Sequence, residues 1–165
     1  MRIMGLDPGS LRTGYGIIVG ESGRLRCATC GVLRPARGAP LSERLWTLHR
    51  GLTALLQEEP LDAIALEEAF IGRHPRPALV LGHARGALIV AALARGIPVY
   101  EYAPRRIKQS VTGVGGASKQ QVQQMIGHLV TGLPVTISLD EADAIAVAVC
   151  HAHRSPLRSQ LEARS

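Results

Sequence analysis

Four carboxylates stand at positions where a folding chain has little structural use for them. Asp7 closes the apolar run 2–6 and is followed at once by Pro8 and Gly9, so the chain turns sharply and leaves that carboxylate at a strand end. Glu67 closes the run 64–66 in the same way. Asp140 and Asp143 are spaced i and i+3 in a helical stretch, which places them on one face. In open α/β sheets, sites form beyond the carboxyl ends of strands, where all four could meet. Such a pocket repels itself, and its natural remedy is hard divalent cations, which take oxygen ligands. Two Mg²⁺ ions there would activate a water and stabilise the leaving oxygen of a phosphodiester. Three of them also have a plainer use: Asp7 as a turn former, Asp140 as a favourable charge at a helix N-terminus, Glu67 as a surface acid.

The elements that must position these groups can be read from the apolar pattern. Residues 2–6, 14–20 and 24–33 read as three strands separated by Gly- and Ser-bearing turns. Leu41, Leu45, Leu48, Leu52 and Leu55 recur at helical spacing and are closed by Pro60. Residues 61–66 and 97–102 read as further strands, and Ser118 and Ser138 open helices, Ser118 with a capping box completed by Gln121. The expected fold is an α/β sandwich around a five-stranded mixed sheet, a single domain over residues 1–153 with a disordered basic tail over 154–165. The stretch 77–94 is apolar on nearly every face, as expected of a helix buried on two sides, either in the core or against a partner subunit. His83 and Arg85 within it argue against a membrane span.

The 165 residues carry 19 Lys and Arg against 13 Asp and Glu, a net charge of +6. With a pI near 9.9, the chain attracts polyanions, most simply nucleic acid. Only one Phe, one Trp and three Tyr are present, so the core is aliphatic. No secretory signal segment is visible, and the cytoplasm is the expected compartment. Cys27, Cys30 and Cys150 are odd in number, which disfavours a disulfide framework. A zinc site from Cys27 and Cys30 with Cys150, His151 and His153 is disfavoured because residues three apart on a strand point to opposite faces. His151 and His153 read as solvated residues at a helix end.

Phe70 lies three residues beyond Glu67, in a loop with Arg73 and Arg76 rather than in a periodic apolar segment, so base stacking competes with a core role. Lys119 falls in the first turn of a capped helix, against the dipole, which suggests an anion ligand. Lys108, beside Arg105 and Arg106, fits a solvated basic face as well as a DNA contact.

In sequence order, Asp7-Pro-Gly-Ser-Leu-Arg-Thr13-Gly-Tyr-Gly16, Ala65-Leu-Glu67-Glu-Ala-Phe70, Leu81-Gly-His-Ala-Arg85-Gly86, Lys108-Gln109 with Gly113-Val-Gly115 and Lys119-Gln-Gln-Val122, and Asp140-Glu-Ala-Asp143-Ala resemble the RuvC family of Holliday junction resolvases. The resemblance covers roughly residues 1–153. It implies an RNase H-like fold, a homodimer, and Mg²⁺- or Mn²⁺-dependent paired nicking of four-way DNA junctions. Asp7, Glu67, Asp140 and Asp143 match the family's metal-binding carboxylates. Lys108 and Lys119 match its basic residues for DNA binding and catalysis, and Phe70 its base-stacking aromatic; Arg73, Arg76 and Arg105 are further candidates for DNA contacts. The implied partners are the junction-binding and branch-migration proteins RuvA and RuvB.

Glu68 replaces the family's usual Gln, adding a negative charge beside the site. His74 and Pro77 replace its usual Asn and Ser, which unsettles any inherited cleavage sequence. Competing readings are a nuclease of this type acting on structured RNA, a non-catalytic junction binder, and the phosphate loop of the actin and sugar-kinase superfamily, whose ATPases need a second domain.

Overall fold

The computed structural model describes residues 1–68 and 75–155. Its elements follow in the order β1 (Arg2–Asp7), β2 (Thr13–Glu21), β3 (Arg24–Leu33), α1 (Leu41–Glu58), β4 (Ala63–Glu67), α2 (Pro75–Leu93), β5 (Val99–Tyr102), α3 (Pro104–Thr112), α4 (Lys119–Leu129), β6 (Val130–Thr131) and α5 (Leu139–Arg154). They form one sheet in the order β5-β4-β1-β2-β3-β6. The first three strands are an antiparallel meander, while β4 joins β1, β5 joins β4 and β6 joins β3 in parallel.

Strand alternation divides the core between two sheet faces. Met4, Leu6, Ile17, Ile64 and Leu66 pack with Leu48, Leu52 and Leu56 of α1 and Leu88 of α2. Ile3, Ile18 and Ala65 face the other way, onto α3, α4 and α5. On that second face the central strands carry glycine at three positions where α5 crosses them. A Cβ on Gly5 would stand 1.9 Å from the Ala144 carbonyl oxygen, one on Gly14 2.1 Å from that of Asp140, and one on Gly16 2.4 Å from Ile145 Cγ1. These glycines let α5 lie directly on β1 and β2, where a side chain would hold it off.

Several expectations are corrected. The sheet has six strands rather than five, because β6 is a two-residue pairing with Leu25 and Arg26, too short to leave an apolar period. Helix α3, with Pro104 at its first position, is short and polar, and the apolar pattern does not predict it. Helix α5 continues through Arg154, and Ser155 is buried, so the first two residues assigned to the tail belong to the folded body. The remainder of the tail lies outside the described residues. By length and composition α2 passes for a membrane span, yet it packs on α1 and buries Ala84, Arg85 and Leu88. Its other face is exposed and apolar, with Leu79, Val90 and Leu93 at 63%, 60% and 56% accessibility.

The Cys27 and Cys30 side chains do not diverge. Ile18 pairs with Cys27 and Ile17 with Thr29, so Ala28 is an extra residue in β3, a bulge that shifts the alternation. The two thiols consequently face the same core, the one beneath α5, and burial pushes the Cys30 thiol up to about 12.

Candidate active site

The same alternation that builds the core aims two of the carboxylates. Ile3 and Gly5 face α5, and so does Asp7, two residues further along β1; Ala65 and Glu67 repeat the pattern on β4. Because Leu6 and Leu66 are paired in parallel register, Asp7 and Glu67 leave neighbouring strands at the same height. Beyond Asp7 the turn is held by buried Thr13, whose hydroxyl donates to the Gly9 carbonyl at 2.8 Å and accepts from the Gly9 N–H at 3.3 Å.

The other two carboxylates come from the start of α5. Ser138 caps it, accepting from the Glu141 N–H at 3.3 Å, while Glu141 accepts from the Ser138 N–H at 2.7 Å. This capping box fixes the first turn, and Gly14, the partner of Asp7 across β1 and β2, lets the Asp140 backbone approach. The four groups therefore act on one another. Asp7 is pushed up to about 7, first by burial and then by the negative charges of Glu67, Asp143 and Asp140, against the pull of Lys119. Glu67 is raised by burial and by Asp143, and lowered by Lys119, Lys108 and Arg85.

Cations face this cluster from several elements. Lys119 Nζ stands 2.5 Å from Asp143 Oδ2, a hydrogen bond that raises the lysine's own pKa. The cation set against the dipole of α4 thus has a protein anion as its partner. Lys108 on α3 acts on Glu67 from a distance. Arg12 Nη2 stands 2.6 Å from Asp140 Oδ2.

The donor set is all oxygen, and a divalent cation would relieve both the burial of the Asp7 charge and its repulsion by Glu67, Asp143 and Asp140, so the residues fit hard metal ions. As the side chains stand, no three His, Cys, Asp or Glu among the described residues are gathered closely enough to hold one. That holds for the cysteine and histidine group as well. His151 is not solvated; it is buried, shares a 2.7 Å hydrogen bond with the Tyr102 hydroxyl and packs on Tyr100. His153 pairs with Ser110.

Over residues 3–151 the chain matches the family described as crossover junction endodeoxyribonuclease RuvC. A protein of that name from Paramagnetospirillum magneticum is 45% identical over 161 residues, covering 98% of this chain and 96% of the relative. One from Maricaulis maris is 46% identical over 153 residues, 93% of this chain and 91% of the other. The chain belongs to the RuvC family. Among solved structures, T. thermophilus RuvC in complex with Holliday junction substrate superposes with a TM-score of 0.87 at 31% identity, covering 96% of each chain. The fold is accordingly RNase H-like. The yeast mitochondrial Holliday junction resolvase Ydc2 shares it, with a TM-score of 0.66 at 15% identity over 96% of this chain and 83% of that one.

Seen in the RuvC frame, the remaining expected contacts fall into three groups. Phe70 and Arg73 lie outside the described residues, as does His74. Arg76 is exposed in the first turn of α2. Arg105 is exposed and lays its stem over Gly115, where a Cβ would meet Arg105 Cγ at 2.6 Å; it is not among the charges acting on Asp7 or Glu67. Glu68 is exposed and lines a cleft of about 220 Å³ with Asp7, Pro8, Glu67, Leu81, Arg85 and Pro104.

Sequence reasoning missed two residues. Arg85, only 7% accessible, donates to the Glu67 carbonyl and, at 2.8 Å, to Glu101, tying the end of β4 to α2 and β5. Its signal was present as a cation set in the middle of an apolar helix. Arg12, paired with Asp140, carried no signal beyond its place in the turn.

Proposed function

We propose that this chain resolves four-way DNA junctions by paired symmetric nicks, using Asp7, Glu67, Asp140 and Asp143 as its metal-binding carboxylates. As a RuvC-family member it is a crossover junction endodeoxyribonuclease, a hydrolase of DNA phosphodiester bonds that acts in recombination and repair. The observation that carries the site assignment is the convergence of four carboxylates on one sheet end, with Asp7 pushed up to about 7 by burial and by the other three. Bound there, Mg²⁺ or Mn²⁺, two ions per subunit in our reading, would activate water and stabilise the leaving oxygen.

The chain's own residues divide the remaining work. Asp7 and Glu67 are fixed by strand pairing and Asp140 and Asp143 by a capped helix, so the oxygen donors need little reorganisation. Lys108 and Lys119 add positive charge where a phosphate would lie, and Arg76 extends the basic surface along α2. Phe70 and Arg73 remain candidates for base stacking and strand contact. Paired cuts need two equivalent sites at fixed separation, which a two-fold dimer supplies. The exposed Leu79, Val90 and Leu93 of α2 support that helix as the dimer contact. RuvA and RuvB are the partners we expect on the junction, and the cytoplasm the compartment.

The test incubates the protein with a synthetic four-way junction, a linear duplex and a structured RNA, each with Mg²⁺, Mn²⁺ or chelator. Symmetric nicks in the junction alone are expected, abolished by chelator and by Asp7→Asn while junction binding is retained. Cutting that survives chelation, or Asp7→Asn protein that cuts at the normal rate, would overturn the metal site. Cleavage confined to RNA would overturn the substrate.

A further inference from the structure

Two of the four carboxylates carry a basic partner, and the two partners are not alike. Lys119 reaches Asp143 with a hydrogen bond from a capped helix. Arg12 reaches Asp140 from the turn between β1 and β2 with its side chain 53% accessible. That contact is an ion pair without hydrogen-bond alignment, for the buried Asp140 Oδ2 has no hydrogen-bond partner. The oxygen held by Arg12 is therefore withdrawn from water and incompletely satisfied. With its Arg12 end exposed and its contact poorly aligned, such an ion pair is weak, on the order of fivefold or less in an equilibrium constant, and gives way to a stronger cation. The turn that carries Arg12 is itself held, by Thr13 on Gly9 and by Arg44 Nη1 donating to Ser10 Oγ at 3.0 Å. A displaced Arg12 side chain thus swings from a fixed base and stays at the rim of the site.

We propose that Arg12 is an exchangeable counter-cation, holding Asp140 until a divalent ion takes that carboxylate and then pairing with a junction phosphate. This rests on the metal-site reading above. It makes metal binding and DNA binding mutually reinforcing, because each removes a competitor of the other.

The experiment measures Mn²⁺ affinity of the full chain by calorimetry, and junction affinity by fluorescence anisotropy in Ca²⁺ and in EDTA, with the junction verified uncut on a gel. Arg12→Gln is expected to bind Mn²⁺ about three- to fivefold more tightly and to lose about three- to fivefold in junction affinity in Ca²⁺. In EDTA, where Arg12 is occupied by Asp140, its junction affinity stays within about twofold of the wild type. Arg12→Lys restores both behaviours in part, and Arg24→Gln, the same charge change on the exposed hairpin at the other end of the sheet, leaves Mn²⁺ affinity unchanged. Unchanged Mn²⁺ affinity in Arg12→Gln, or an equal junction loss in both buffers, overturns the proposal. If Asp140→Asn binds Mn²⁺ as the wild type does, the metal-site reading falls first and this inference with it.

Discussion

From Ala144 to Ala152 every residue of α5 is buried, whereas the turn before it holds Asp140, Glu141 and Asp143 half in contact with water. The buried stretch rests on a sheet surface stripped to glycine at Gly5 and Gly16, and closes at its far end on His151. The opening turn is held by a capping box and two ion pairs. One part of the helix is fixed by packing that tolerates no added volume, and the other by polar contacts that leave its carboxylates free to take a ligand. The difference shows how four like charges are kept close: the anchoring that offsets their repulsion lies one to three turns away.

The largest break in that contrast is expected from Gly5→Val. Its Cβ would stand 1.9 Å from the Ala144 carbonyl, backbone against backbone, a cost beyond about 4–5 kcal/mol. No cooperative thermal transition by circular dichroism is expected. Gly127→Ala in α4, where nothing lies within 4 Å of the new Cβ, is expected to stabilise by about 1 kcal/mol.

His151→Ala removes a buried ring and its hydrogen bond to Tyr102, for about 2–4 kcal/mol in chemical denaturation. His151 also gives the wild type a pH dependence of definite sign. Burial lowers its pKa below the usual 6.5, so the folded state holds fewer protons than the unfolded one. Its contribution is complete above about pH 6.5 and is lost as pH falls below that toward the folded value. His151→Gln should flatten the stability profile in that window.

At the charged end the sign reverses. Asp7→Asn removes one of four mutually repelling carboxylates, the one pushed up to about 7, and should raise the melting temperature without metal by a few degrees, about 1 kcal/mol or more. The same change should cost on the order of 10²-fold or more in nicking. The smallest effect is expected from Ser138→Ala, about 0.5–1 kcal/mol from the lost cap, with a modest loss of Mn²⁺ affinity.

Much of this was legible in the chain. The leucine spacing of α1, the Ser118 and Ser138 caps, and Asp7 before Pro-Gly at a strand end are local signals, and local physics decided them. What escaped depends on distant neighbours. The Ala28 bulge leaves no trace in the apolar alternation of β3, which by itself puts Cys27 and Cys30 on opposite faces. His151 reads as a helix-end histidine in the sequence because its cover, Tyr100 and Tyr102, arrives from a strand some fifty residues earlier. Arg12 and Arg85 find their partners only once β4 lies beside β1 and α5 crosses them.

The most direct measurement is anomalous diffraction from crystals soaked in Mn²⁺. Metal peaks bonded to oxygens of Asp7, Glu67, Asp140 and Asp143, at the junction of β1, β4 and the first turn of α5, are the result expected. Mn²⁺ bound elsewhere on the chain, with these four carboxylates left unbridged, would contradict the account.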